Sequence, residues 1–330
     1  MEKSPLIPEK TRYISHDSGQ LTLQSMAMPN VGASQVLIKV SAFGVNRADL
    51  LQRAGKYPAP KGDSPVLGLE VAGTVVAVGD TAHHHLIGKR VLSLTAGGGY
   101  AEYAVAEQAL LIPVPEKMPL YQAAGVAEVM LTAFDAIIRT GKLAPGQVLL
   151  CHGGASGVGA AAIRIAKAVG ATVVTTQSSD EKGQFARSLG ADHVINYKQQ
   201  DFVTEMKALG LQANVILDPV GGEYLKGNLQ VASLDCHCIM LAMLGGRFAE
   251  LDFARLLQKR FNLHGSTLRN RTLEYKAELV KQFCQEFEEQ LTEPHLEIPI
   301  YRQFNWQEIE LAHQVLEHNE NLGKVVVNVA

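Results

Sequence analysis

The run Gly153-Gly154-Ala155-Ser156-Gly157-Val158-Gly159 combines residue types and spacing that could hold a phosphate. Gly157 and Gly159 permit a sharp turn and close packing of a helix on the preceding strand. A helix starting here would offer unpaired N–H groups to a bound anion. The next apolar segment, 172–176, ends in Gln177, Ser178 and Ser179. A site that binds free adenosine ribose hydroxyls usually carries Asp or Glu at this point. Here the acid is missing, although Asp180 lies close. Small hydroxyl side chains leave room for a 2′-phosphate. Lys182 is placed to pair with it, and Tyr197 to supply a phenol. The expectation is a dinucleotide site that prefers NADPH to NADH.

These residues need a particular scaffold. Leu149-Leu150-Cys151-His152 reads as a strand running into the glycine turn. The alanine-rich stretch 160–170 follows as a helix, with Ile163, Ile165, Ala166 and Val169 on one face. Strand candidates at 148–151, 172–176, 193–196, 215–217, 238–242 and 262–264 alternate with helices such as 182–188 and 202–208. This pattern predicts a doubly wound, six-stranded parallel sheet. The first 120 residues are β-rich instead, with strands expected at 36–40, 71–79 and 90–93. Helical character begins near Gln122 and runs to Arg139. After residue 290 come a strand at 296–300, an amphipathic helix at 306–317 and a strand at 324–329. In that helix Ile309, Ala312, Val315 and Leu316 should face inward. Such an ending suggests that the chain returns to its first domain. The expected division is 1–124 with 297–330, and 125–296.

Composition narrows the function. The 330 residues are 47% hydrophobic and 19% charged, as in an ordinary folded enzyme. A net charge of −3 gives no reason to expect nucleic acid or an anionic membrane as partner. No stretch is expected to reach the length of a membrane span. The opening Met1-Glu2-Lys3-Ser4-Pro5 lacks the apolar core of a signal peptide. Four scattered cysteines do not make a disulfide framework, so a reducing cytoplasm is expected. Cys236 and Cys238 read as small core residues. His83-His84-His85 follows Val78-Gly79-Asp80 and reads as a solvated turn. No metal site is expected.

Several further stretches carry a family resemblance. They are Gly44-Val45-Asn46-Arg47-Ala48-Asp49-Leu50-Leu51-Gln52-Arg53, Gly55-Lys56-Tyr57, Leu67-Gly68-Leu69-Glu70, Glu128-Val129-Met130-Leu131-Thr132-Ala133-Phe134, Asn196-Tyr197 and Asn321-Leu322-Gly323-Lys324. With the glycine turn they run in order across nearly the whole chain. The sequence resembles the zinc-independent quinone oxidoreductases, the zeta-crystallin group of the medium-chain dehydrogenase/reductase superfamily. The resemblance implies a β-rich GroES-like catalytic domain beside a Rossmann-type domain. Zinc-dependent relatives carry Cys where this chain has Asn46 and His where it has Leu69, and neither replacement suits zinc. Their four-cysteine structural lobe is also absent.

The resemblance further implies that Asn46, Tyr57 and Thr132 lie near the nicotinamide. Asn46 and Tyr57 would donate hydrogen bonds to a substrate oxygen. It places Ala155, Ser156, Gly157 and Val158 on the pyrophosphate. Ser156 stands at the middle glycine of the fingerprint, and Ser178 where many relatives have Gly. Met243, Leu244 and Leu268 would line the nicotinamide half, and Asn321 would reach the cofactor from the other domain. Glu70 is assigned a structural role. The implied activity is NADPH-dependent quinone reduction. One alternative is an enone or alkenal reductase, and another is an NADPH-binding structural or RNA-binding protein. A homodimer paired through the edge strand 262–264 is implied as well.

Overall fold

The computed structural model describes residues 7–17, 19–287 and 297–329. The chain opens with strands β1 (Lys10–Ser15), β2 (Thr22–Ala27) and β3 (Gln35–Val45), then helix α1 (Arg47–Arg53). Strands β4 (Glu70–Val78), β5 (Arg90–Leu94), β6 (Tyr103–Glu107) and β7 (Leu111–Pro113) follow. Helices α2 (Leu120–Ala123) and α3 (Ala127–Phe134) lead into a π-helical turn, Asp135–Thr140. Strict alternation then sets in: β8 (Val148–His152), α4 (Gly157–Val169), β9 (Thr172–Gln177), α5 (Asp180–Ser188) and β10 (His193–Asn196). It continues through α6 (Phe202–Ala208), β11 (Ala213–Asp218), α7 (Tyr224–Val231), β12 (Ala232–Met240), α8 (Phe253–Lys259) and β13 (Asn262–Gly265). Helix α9 (Leu273–Glu286), β14 (Ile300–Asn305), α10 (Ile309–Glu317) and β15 (Lys324–Asn328) complete the described chain.

Two compact units result, residues 1–128 with 269–330, and residues 129–268. The first holds a sheet in the order β14-β15-β3-β4-β5-β7, with β6 also paired to β3. β3 runs antiparallel to both β4 and β15. The end of β3 therefore meets the starts of those two strands, which brings Asn46, Glu70 and Lys324 to one corner. The β-rich end of the chain does return to this unit, as its sequence suggests. Its core includes Phe43 stacked on Tyr100, at 4.2 Å between ring centroids. Ile309, Ala312, Val315 and Leu316 are buried with them.

The second unit is a six-stranded sheet in the order β10-β9-β8-β11-β12-β13, with every neighbouring pair parallel. The strand order reverses beside β8, which puts the switch point next to the glycine turn. Cys236 and Cys238 are buried in its core.

Several expectations shift. The division falls near residues 128 and 268 because α9 packs on β7 and on the turn Gln108–Leu110, all in the first unit. β12 begins at Ala232 rather than 238, since exposed Leu234 and Asp235 break the apolar pattern without ending the strand. The helical stretch Leu120–Thr140 is long and apolar enough by composition to cross a membrane, at 21 residues. Most of it is buried, as in a core helix. Of the strand expected at 296–300, Leu296 lies outside the described residues, and β14 begins at Ile300.

Candidate active site

In the second unit, β8 ends at His152 and the chain turns through Gly153, whose φ is +71°. A Cβ on Gly154 would lie 2.3 Å from Thr175 Oγ1, and one on Gly159 would lie 2.4 Å from Gly153 O. Glycine is thus the residue these positions accept. Ser156 caps α4, its Oγ accepting from the Gly159 N–H at 3.0 Å. The hydroxyl proton remains able to donate. The helical bond from Ala160 N–H to Ser156 O comes next, so the amides of Gly157 and Val158 precede it. Such amides, at the positive end of a 13-residue helix, fit a pyrophosphate. Ala155 N–H donates to Gln177 Oε1 at 3.3 Å, tying the turn to the end of β9.

Ser178, Ser179, Lys182 and Tyr197 gather around the carboxyl ends of β9 and β10. Gln177 itself turns inward to Thr175 Oγ1 and Ala155. Ser179 caps α5 by accepting from the Lys182 N–H. Asp180, the nearby acid, accepts from Asn196 Nδ2 at 3.0 Å. Tyr197 follows β10 and is 46% exposed. Met243 and Leu244, beyond β12, are 62% and 60% exposed, whereas Leu268 is buried. Thr132 is half-buried on α3.

A buried chain of polar side chains beneath the turn was not legible in sequence. His152 Nδ1 meets Thr176 Oγ1 at 3.0 Å, and Nε2 meets Asn228 Oδ1 at 2.7 Å. Asn228 Nδ2 donates to Asp218 Oδ2 at 2.7 Å. A carboxylate only accepts, so Asn228 must offer Oδ1 to the imidazole, and the His152 proton sits on Nε2. Burial lowers the His152 pKa, which favours this neutral form. Asp218 Oδ1 also accepts from the Val220 and Gly221 amides. The chain thus links the glycine turn to the loop after β11.

In the first unit, Asn46 follows β3. Its Nδ2 donates to Glu70 Oε1 at 2.9 Å, and its Oδ1 accepts from Lys324 Nζ at 2.7 Å. Lys324 also donates to Glu70 Oε1 at 2.7 Å and to Val45 O at 3.1 Å. Glu70 Oε2 accepts from the Glu128 N–H. The Asn46 N–H donates to Asp49 Oδ2 at 2.8 Å. Burial pushes Asp49 up to about 6, against hydrogen bonds from Asn46 and Gly68. Glu128 is pushed up to about 8, first by burial and then by Glu70. Glu70, read from sequence as structural, is a direct partner of Asn46.

Tyr57 is half-buried, with the Arg269 guanidinium 5.5 Å from its ring centroid. Arg269 donates twice to Ala96 O, at 2.9 and 2.7 Å, and so braces the loop before Gly97. Burial raises the Tyr57 pKa, which keeps the phenol a donor at neutral pH. Asn321 donates from Nδ2 to Gly323 O at 2.9 Å, folding the turn into β15. Lys324 had one sequence signal, a cation opening an apolar strand, and Arg269 had none.

Comparison with known proteins accords with this geometry. The alcohol dehydrogenase GroES-like domain matches residues 32–116, and the zinc-binding dehydrogenase family matches 157–284. The quinone oxidoreductase of Lama guanicoe is 30% identical over 312 residues, which is 93% of this chain and 93% of that protein. A phenolphthiocerol/phthiocerol polyketide synthase of Mycobacterium tuberculosis is 33% identical over 219 residues, 66% of this chain. The match spans only 10% of that much longer protein. The solved quinone oxidoreductase from Coxiella burnetii has TM-score 0.79 and 28% identity, covering 97% of this chain and 100% of that one. The CurK enoyl reductase gives TM-score 0.83 at 26% identity, covering 98% and 100%. The chain is an oxidoreductase of two-domain GroES-like and Rossmann type. It belongs to the medium-chain dehydrogenase/reductase superfamily.

The zinc that this superfamily often carries does not fit the residues present. The Lys324 ammonium stands within hydrogen-bonding distance of both Asn46 and Glu70, where a second cation would be repelled. Leu69 is buried and offers no donor atom. Among the described residues, no group of three His, Cys, Asp or Glu side chains could hold a metal.

Proposed function

We propose that this protein is an NADPH-dependent quinone oxidoreductase that works without zinc, in the cytoplasm and as a homodimer. The observation that carries the reading is the Asn46–Lys324–Glu70 cluster, which offers a fixed amide where related enzymes hold a metal. Bound NADPH would supply a hydride. The glycine turn would hold its pyrophosphate through the Gly157 and Val158 amides. Asn46 and Tyr57 would donate to the acceptor oxygen as negative charge gathers there. Quinones become aromatic on reduction, so two neutral donors suffice without a Lewis acid. The likeness to quinone oxidoreductases over most of the chain supports this choice.

A second reading, reduction of an enone or enoyl double bond, is favoured by the likeness to CurK enoyl reductase. The same oxygen polarisation would direct hydride to carbon. A panel of a quinone, an enone and an alcohol with NADP⁺ separates these readings by the initial rate of NADPH change. Quinone turnover well above enone turnover is expected. No turnover with either acceptor would favour a binding role without catalysis.

NADPH preference is supported by the missing acid after β9 and by Asp180 being engaged with Asn196. Lys182→Ala is expected to cost about 1.5–3 kcal/mol in NADPH binding, the worth of a charge-assisted hydrogen bond. NADH binding should hardly change. Equal losses, measured by fluorescence titration, would remove Lys182 from phosphate recognition.

The dimer reading is supported by β13, which ends its sheet and has exposed Leu263, with exposed Phe253 and Leu257 on nearby α8. Light scattering should give twice the 35.6 kDa chain mass. A single-chain mass at micromolar concentration would sink it.

A further inference from the structure

We propose that Lys324 is the positioning residue that makes Asn46 chiefly a hydrogen-bond donor, matching the site to carbonyl acceptors and their phenolate or enolate products. This rests on the reading of Asn46 as part of the active site. The opposed strand directions supply the arrangement. β15 pairs with β3 through Val325↔Val45, so Lys324 arrives beside Asn46. β4 starts at Glu70 on the other side of β3.

The chemistry of the two charged groups then fixes the amide. An ammonium only donates, so Lys324 takes Oδ1. A carboxylate only accepts, so Glu70 takes Nδ2. Flipping the amide would set NH₂ against the ammonium and oxygen against the carboxylate, losing both bonds and adding two repulsions. The ammonium takes one of the two lone pairs of Asn46 Oδ1 and its charge weakens the other, so the amide is turned to meet a ligand chiefly as a donor. Among the described residues Nδ2 has one partner, and its second hydrogen remains for a ligand.

Lys324 itself has nothing left to give a substrate. Its three N–H donors meet three oxygens, on Val45, Asn46 and Glu70, and it is only 3% exposed. It acts through Asn46 alone. The ammonium also draws electron density from the amide oxygen, which makes the remaining N–H a stronger donor. An amide aimed as a donor stabilises an oxygen that gains negative charge. It gives no help to an alcohol, which must surrender a proton to an acceptor. The pairing thus suits carbonyl compounds and their phenolate or enolate anions better than neutral alcohols.

The test reads the amide as well as the chemistry. Lys324→Met leaves Glu70 buried without its cation and can unfold the corner. The double variant Lys324→Met with Glu70→Gln removes both charges together and keeps a neutral partner for Asn46. Thermal unfolding establishes that each variant is folded. The ¹⁵N side-chain amide resonance of Asn46, assigned by its loss in Asn46→Asp, should be exchange-protected in the parent. In the double variant it should exchange faster, because a neutral Gln at position 70 can partner either end of the amide and no longer fixes its orientation. Affinity for p-nitrophenolate, a product mimic that cannot be reduced, should fall roughly tenfold or more, the scale of a charge-assisted hydrogen bond. Unchanged amide protection, or unchanged phenolate affinity in the folded double variant, would overturn the proposal. So would a parent protein that binds no phenolate. A parent that binds phenolate through a protected Asn46 amide, yet oxidises NADPH with no carbonyl acceptor, would defeat the functional reading and leave the positioning role standing.

Discussion

Replacing Gly159 by alanine is expected to remove dinucleotide binding from a protein that still folds. The added Cβ would stand 2.4 Å from Gly153 O and 2.6 Å from Gly154 Cα. Both are backbone atoms, so no rotamer change relieves the clash. The turn must open, and with it goes the alignment of the Gly157 and Val158 amides. Overpacking of this kind costs about 1–3 kcal/mol in stability. The second unit keeps its six-stranded sheet and should stay folded at 25 °C. NADPH affinity should fall by about two orders of magnitude or more, because several phosphate contacts of roughly 1.5–3 kcal/mol each are lost together. Titration of NADPH fluorescence, with circular dichroism to monitor folding, measures both effects. Binding within threefold of the parent would mean that the glycine turn does not hold the cofactor.

Asn46→Asp should produce the largest loss of turnover. The side chains are nearly the same size, but the new carboxylate would face Glu70 where Nδ2 now donates, so thermal unfolding must show that the variant is folded. The carboxylate can still accept from Lys324, but it offers no N–H to a substrate oxygen. It also sets a negative charge where the reaction would build another. Removing one such donor costs about 2.7–4 kcal/mol, or about 10²–10³ in kcat. NADPH binding should be untouched, since its phosphates are assigned to the other unit. Tyr57 remains as a second donor, so a residual rate is expected. The effect should be greater for an enone than for a quinone, which gains aromaticity and needs less polarisation. A kcat within about twofold of the parent for both acceptors would take Asn46 out of the chemistry.

What could be read in the sequence follows from the range of the interactions involved. The parallel sheet announced itself because its strands are buried on both faces and appear as short apolar runs. The glycine turn was visible because its steric demands arise within a few residues and the next strand. β12 was displaced by its exposed middle, where Asp235 adopts a left-handed φ of +60°. The Asn46 cluster needs residues 278 positions apart to meet, and only the pairing of β15 with β3 brings them together. Nothing local marks Lys324 as the partner of Asn46. The same holds for the Asp218–Asn228–His152 chain, whose members come from β11, α7 and β8. Arg269 is hidden for a similar reason. It braces Ala96 across 173 positions, while the change of unit falls just before it. By contrast, Asn46 and Tyr57 came from a resemblance, because an amide in a turn and a half-buried phenol carry no signature of their own.

Hydride transfer from NADPH to a quinone without metal can be followed with deuterium, placed on the transferring position of the nicotinamide. The enzyme is first freed of metal by exhaustive chelation, and elemental analysis confirms less than about a tenth of an equivalent of zinc. It is then mixed anaerobically with a quinone in a single turnover, and NADPH absorbance is recorded. Full turnover at the rate of unchelated enzyme is expected. The reaction should be slower with labelled than with unlabelled NADPH, and the label should be gone from the NADP⁺ formed. A rate that collapses on chelation and returns with zinc, or NADP⁺ that retains the label, would refute metal-free hydride transfer.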